Sequence, residues 1–564
     1  MMRRNLSGFT RQEFDLIVVG GGIFGICVAW DATLRGLSVA LLERADFAGA
    51  TSSNCFKIVH SGIRYLQHAD LFRIRESNKE LCTLLRTAPH LVYPLPVVVP
   101  TYGYGLQSKA FLRAGKLIYD MLTIDRSLGL RDTRNNIPQG GTISKEDCLK
   151  FFPGLKREGL SGGLIFYDGQ MYNPARLALS YLKSALMVGA EAANYMEVTN
   201  FIIRGNRVEG VDVEDKLTGE KFQVLGKIVI NAAGPWAEPL LRLRMGKILN
   251  PAFNYSRDAF VVVPGRLTGN YALAVLGRTS DFDALLSRGR RHLFIVPWQN
   301  STIMGVWHSV YKGDPDEFAV TQEDIQGFLN EIDEAYPGFS LTVKDISMCN
   351  AGIVPFGDKE PATHGLSFGK RSRIIDHVKD HDLEGILTVI GVRYTTSRSV
   401  AERVVDLVFR KLNKKSPKSS TAMTPIYGGS IECFEEFIVQ SSAKLAGTFG
   451  IDVIQSLLHN HGSEFQRVLD YVDADPSLAE TLGETGVIKA EVVNAVRREM
   501  AQKLGDVVFR RTDLGSAGYP GEAEIKVCAE LMAKELGWDE TRIRNEINEA
   551  NSAFSRFNLR VSRA

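Results

Sequence analysis

The chain has 564 residues, more than one hydrophobic core normally serves, so two or three domains are expected. Its composition, 45% hydrophobic and 23% charged, is ordinary for a soluble enzyme. With 67 basic against 65 acidic side chains the formal charge is only +2, which argues against a nucleic-acid groove, a surface that needs a concentrated positive field.

The polar leader before Asp15 carries Arg3, Arg4 and Arg11 but no apolar core, and does not read as a secretory signal. Phe14 to Gly20 then reads as a short apolar strand running into "GGGIFG" and the helix-like run "ICVAWDATLRG". Gly20, Gly22 and Gly25 have the spacing GxGxxG, which supplies a tight turn, close approach of backbone to a pyrophosphate, and close helix packing. The helix start offers unpaired N–H groups and a partial positive field to phosphates. A second strand, "LSVALLER", ends at Glu43, whose carboxylate can accept bonds from ribose hydroxyls and would repel a 2'-phosphate, although Arg44 lies beside it. Strand, turn, helix, strand and acid in that order predict a dinucleotide site.

Further along, Pro94, Pro96 and Pro100 make "YPLPVVVP" extended or edge-like. "GKIVINAAGPWAEPL" is an apolar strand ending in small residues, Ala232 and Gly234, before Trp236, and small side chains let a cofactor approach the sheet. "DAFVVVPG", "HLFIVPW" and "TIMGVW" read as strands. In "GILTVIGVRYTTSRSVAERVVDLVFRKL" a strand runs to Gly391, the hydroxyls of Thr395 and Thr396 follow, and an amphipathic helix begins around Arg398. Hydroxyl donors at a helix N-terminus suit the negative charge on a reduced flavin, so this late return of the chain points to FAD rather than a nicotinamide. "FRKLNKKSPKSS" reads as a solvated linker, after which "ECFEEFIVQSSAKLAG" and "AEIKVCAELMAKELG" have helical spacing. The paired arginines of "VVFRRT" are expected to cap carboxylates at a domain junction.

Seven scattered cysteines without a CxxC pair suggest free thiols in a reducing compartment. No stretch reaches the ~18 to 20 apolar residues needed to cross a bilayer. The expected location is cytoplasmic, with any membrane association peripheral, at the inner face. No metal site is expected, because the ten histidines do not cluster with cysteine or carboxylate at ligand spacings.

"TSSNCFKIVHSGIRYLQH" (Thr51 to His68), "NAAGPW" (Asn231 to Trp236), "VYKGDP" (Val310 to Pro315) and "AEVVNAVRREMAQKLGDVVFRRTDLG" (Ala490 to Gly515) carry a family likeness. In them the chain resembles the flavin-dependent glycerol-3-phosphate dehydrogenases, a branch of the larger family containing amino-acid and glycine oxidases. The resemblance implies an α/β fold: a Rossmann-like FAD-binding domain, an α+β substrate domain and a C-terminal helical domain. The expected boundaries are 14–90, 165–240 and 345–410 for the discontinuous FAD-binding domain and 91–164 and 241–344 for the substrate domain. A linker at 411–424 and a helical domain at 425–564 follow. It also implies non-covalent FAD, with Thr51, Ser52 and Ser53 near it, hydride transfer from a C–OH (or C–N) carbon to flavin N5, and reoxidation by quinone or oxygen. A homodimer is compatible with it.

Several positions expected to meet substrate depart from the family pattern. Val354 stands where the family has arginine, Phe260 where it has histidine, and Phe56 where it has serine. Val306, Trp307 and His308 replace threonine-threonine-aspartate, and Gly391, Val392 and Arg393 replace glycine-glycine-lysine. Exchanging arginine for valine removes a planar, permanently charged fork suited to phosphate. The expected substrate is therefore a small anionic alcohol, hydroxy acid or related molecule other than glycerol 3-phosphate. Glycerol 3-phosphate itself and a non-catalytic flavin-binding protein are the alternatives. His60 and His308 are candidate bases, Arg64 and Arg393 anion clamps, and Tyr65 a hydrogen-bond donor, while Lys370 or Arg371 would replace another anion contact.

Overall fold

The computed structural model describes residues 2, 4–103, 109–130, 132, 136–245, 254–278, 290–356 and 372–557. The chain opens with β1 (Phe14–Val19), α1 (Ile23–Leu34) and β2 (Val39–Leu42), the two strands parallel from Leu16 opposite Val39 to Val19 opposite Leu42. Every residue of both strands is buried, which is why they read as continuous apolar runs: a parallel strand is covered on both faces.

The chain then leaves this sheet. After α2 (Leu71–Thr87) come β3 (Val92–Tyr102), α3 (Lys109–Leu122) and β4 (Leu160–Met171); β3 and β4 pair antiparallel and begin a second sheet. Next, α4 (Pro174–Met187) starts at Asn173, whose side chain accepts from the backbone N–H groups of Ala175 and Arg176. It returns the chain to β5 (Glu191–Ala193), parallel to β2. The antiparallel strands β6 (Met196–Arg204) and β7 (Arg207–Asp215) lead into β8 (Lys221–Asn231), which lies parallel to β1 on its other side.

A second excursion supplies β9 (Asn254–Pro264), β10 (Ala272–Leu276), β11 (His292–Trp298), β12 (Ser301–Tyr311), α5 (Gln322–Ala335) and β13 (Met348–Phe356) to the second sheet. The last return brings β14 (Arg373–Asp376), β15 (Ile386–Ile390) and α6 (Ser397–Lys411). The first sheet thus has the order β14-β15-β8-β1-β2-β5, with α1, α4 and α6 packed on one face and the β6–β7 pair covering the other.

Two expected boundaries move. Residues from 165 to 171 belong to β4 and pair with β3, and β13 pairs with β9 from Asn254 opposite Phe356 to Val262 opposite Met348. Both segments had been assigned to the FAD-binding domain, yet their ladder hydrogen bonds go to the second sheet. The expected linker starts where α6 ends. Its lysines face solvent, but it is anchored: Lys414 pairs with Asp15 at 2.9 Å, and Thr421 accepts from Arg398 at 3.0 Å.

Beyond it lies a helical region that includes Phe434–Leu445, Ile451–His461, Lys489–Glu499, Glu522–Leu536 and Glu540–Phe557. The paired arginines do cap carboxylates at the junction. Arg511 forks onto Asp46, in the loop after β2, at 2.5 and 2.6 Å, and Arg510 reaches Asp506 at 2.7 Å. Among the described residues no helix is long and apolar enough to cross a membrane.

Candidate active site

A cavity of about 480 Å³ opens at the C-terminal ends of β1, β2, β8 and β15, where loops leave a parallel sheet and ligands bind. Gly20 turns the chain at φ 108°, and a Cβ there would lie 2.6 Å from the Ala232 carbonyl oxygen, so no side chain fits. Gly25, one turn into α1, sits against the Gly20 carbonyl and lets helix and strand pack closely. Gly22 lines the cavity at the start of α1, where the Ile23 N–H donates to Ser52 Oγ at 3.0 Å.

Glu43 Oε2 accepts from the Gly21 N–H at 2.6 Å and Oε1 from the Ala45 N–H at 2.8 Å. Burial pushes its carboxyl up, opposed by those two bonds. A carboxylate has about four acceptor positions, so two bonds leave capacity for ribose hydroxyls. Arg44 stacks over Trp236 at 4.3 Å and pairs with Asp316 at 2.5 Å, which offsets the charge a 2'-phosphate would seek. Thr51, Ala232, Gly234 and Gly391 line it as well; a Cβ on Gly391 would collide with the Phe24 ring at 2.1 Å. Glycine cradle, helix start and ribose-facing acid fit the adenine dinucleotide part of FAD.

A second cavity of about 210 Å³ adjoins the first, and Thr51, Cys55, Val354, Val392 and Tyr394 line both. One wall is aromatic: Phe56 meets Phe260 edge-on at 5.3 Å and Phe294 at 6.5 Å. Arg64, Arg73 and Arg393 form a cationic end, with the Tyr65 ring 4.7 Å from both the Arg73 and the Arg393 guanidinium. Asp70 pairs with Arg73 at 2.7 Å. Burial pushes the Arg393 guanidinium down, and neighbouring Arg73 and Arg64 act in the same direction against Tyr65 and Glu76.

Both expected histidines reach this cavity, and each carries a carboxylate on Nδ1. His60 Nδ1 lies 3.1 Å from Asp168, which also accepts from the Ser61 N–H at 2.7 Å and the Ser61 hydroxyl at 2.6 Å. The His60 backbone N–H donates to the Thr395 hydroxyl at 3.2 Å. His308 Nδ1 lies 2.7 Å from Asp258, which accepts from Ser256 as well. An ionised carboxylate is an acceptor only, so in each pair the proton sits on Nδ1; at His60 this leaves the Nε2 lone pair to take another.

Three expected residues lie elsewhere. Trp307 stacks on Phe328 of α5 at 5.7 Å, because alternation along β12 sends it to the opposite face from Val306 and His308, which line the cavity. Ser53 lines a different cavity behind the loop, and its hydroxyl donates to the Ala50 carbonyl at 3.3 Å. Thr396 lines neither of the two cavities; its hydroxyl turns back to the Arg393 carbonyl at 3.4 Å. Lys370 and Arg371 fall outside the described residues. The sequence reading missed Asp168, Asp258, Arg73, Phe294 and Arg291, all at this cavity or holding its histidines. Asp168 did leave a signal, an acid inside the apolar run "IFYDGQM".

The chain matches the family model described as FAD dependent oxidoreductase over residues 15–392, and that of the C-terminal domain of alpha-glycerophosphate oxidase over 419–543. It is 31% identical to a glycerol-3-phosphate dehydrogenase of Synechocystis sp. over 565 residues, 97% of each chain. It is 30% identical to the mitochondrial glycerol-3-phosphate dehydrogenase of Homo sapiens over 566 residues, 96% of this chain and 73% of that one. Among solved structures it resembles the glycerol-3-phosphate dehydrogenase from Bacillus halodurans complexed with FAD. The TM-score is 0.76 at 26% identity, over 98% of this chain and 96% of that one.

Proposed function

The chain belongs to the family of FAD-dependent oxidoreductases, and from that premise we propose that it oxidises a C–OH (or C–N) carbon of a small anionic substrate other than glycerol 3-phosphate. When bound, FAD supplies the hydride acceptor, flavin N5. The protein's own part is to place the substrate and move its proton. Asp168 keeps a proton on His60 Nδ1, so that Nε2 takes the hydroxyl or amine proton as general base. His308, held in the same way by Asp258, is the second candidate for that role. Arg64 and Arg393 orient the anion, Tyr65 adds a donor, and Phe56, Phe260 and Phe294 exclude water from the reacting carbon.

One observation carries the substrate part of this reading. Val354 lines the joint between the two cavities and brings no charge there, which supports an anion held by the arginines that line the second cavity. A second reading, glycerol 3-phosphate itself, draws on the names of relatives alike over nearly the whole chain. Flavin absorbance decides between them. Purified holoprotein should bleach with a short hydroxy acid or another polyol phosphate and recover when quinone or oxygen is added. Prompt bleaching by glycerol 3-phosphate at modest concentration overturns the preference for a different substrate. Failure to bleach with any member of a panel of hydroxy acids, polyol phosphates and amino acids would leave only a non-catalytic flavoprotein.

A further inference from the structure

Behind the loop that walls both cavities lies a third, of about 200 Å³, where the first sheet's loops, the second sheet and the C-terminal helices meet. Two polar side chains at its wall are nearly buried donors. Lys57 is 4% exposed; its Nζ rests 4.6 Å from the Trp298 ring and 5.0 Å from the Phe260 ring. Among the described residues no hydrogen-bond acceptor meets that ammonium. Asn350 is 5% exposed, and its Nδ2 likewise has no partner. The other charge at the wall, Arg510, is already engaged by Asp46 and Asp506, while Ser53 and Asn54 both donate to the Ala50 carbonyl.

We propose that this cavity binds a small monovalent anion, a short-chain monocarboxylate of about acetate's size, between Lys57 Nζ and Asn350 Nδ2. A buried ammonium without a counter-charge is costly, and so is a buried amide N–H without an acceptor; one carboxylate satisfies both. The single ammonium with no carboxylate bonded to it sets the valence. The volume sets the length, since cavities for drug-sized ligands start at roughly 300 Å³. Trp298, Met348 and Phe509 give the ligand's carbon end an apolar wall. The site is separate from the proposed chemistry and does not depend on it.

Burial pushes the Lys57 ammonium down to about 8, with Cys55 and Asp513 pulling weakly the other way. The folded value lies below that of an unfolded lysine. The penalty is therefore full below pH 8 and relieved as pH rises from there, and anion binding relieves it where the ammonium is protonated.

The test is the thermal unfolding midpoint of the holoprotein in increasing sodium acetate. At pH 7 the midpoint should rise and saturate. With the ammonium titrating at about 8, the half-saturating concentration should increase roughly 30-fold by pH 9.5. Lys57→Met removes the charge and Asn350→Asp supplies a fixed carboxylate, so each should abolish the saturable rise. The readout needs no turnover, so it is independent of which substrate bleaches the flavin. A wild-type midpoint without a saturable response, a half-saturating concentration that is the same at pH 9.5 as at pH 7, or a saturable response that persists in either variant overturns the site.

Discussion

Asp168 decides where the His60 proton sits. Its buried carboxylate accepts from His60 Nδ1 and twice from Ser61, and an acceptor there obliges Nδ1 to carry hydrogen. Asp168→Asn introduces an amide that can donate instead, which moves the proton to Nε2 and removes the base. Flavin reduction measured by rapid mixing should slow by about 10²–10⁴, the range of positioned acid–base groups, with flavin retention intact. His60→Asn should match it, and the double variant should lose little more. An unchanged reduction rate in Asp168→Asn would take the pair out of the mechanism. His60, Arg64 and Tyr65 were legible because they share one continuous motif. Asp168 was not, because it arrives 108 residues later from another strand and only topology brings it to His60. Trp307 misled for a different reason: adjacent strand residues face opposite ways, and sequence alone did not fix which face of β12 is inward.

Among the elements, the opening β1-α1-β2 unit was readable in full because its signals are local and consecutive. Gly20 is its most exacting position. Gly20→Ala would place a Cβ 2.6 Å from the Ala232 carbonyl oxygen at a φ of 108°, strain that the opposing backbone cannot relieve. The expected protein is colourless, with a flavin-to-protein ratio near zero by absorbance, and less stable by about 2 kcal/mol or more. Full flavin content would show that the turn does not cradle the cofactor. The boundaries near 165 and 345 were illegible because a strand's partner is not written in the strand. β13 looks much like a parallel core strand, and only its register with β9 assigns it to the second sheet.

On the scale of the whole molecule, the helical region is bound to the rest through buried charge. Besides Arg511 with Asp46, Glu499 holds Arg176 at 2.6 Å and Lys183 at 2.7 Å, both on α4. Breaking a buried pair from one side costs about 3–5 kcal/mol when the other charge is stranded; Arg510 still reaches Asp46, so Arg511→Met should lower stability by less, about 1.5–3 kcal/mol in chemical denaturation. A loss under 1 kcal/mol would mean that the junction carries no weight. Burial alone would raise the Asp46 carboxyl, but Arg511 and Arg510 outweigh it and bring it down to about 2. The stabilisation is therefore complete above the ordinary value of 3.8 and disappears as pH falls from there toward 2. Acid titration of tryptophan fluorescence should show that step in the wild type and a smaller one, at higher pH, in Arg511→Met, where Arg510 alone still holds Asp46.

The run from Asp46 to Lys57 serves four masters. Its first residue clasps the helical region, Thr51 and Ser52 line the first cavity, Phe56 walls the second, and Lys57 closes the third. A one-residue insertion or deletion there would throw all four out of phase at once. The segment can drift by exchanging side chains but not by changing its length.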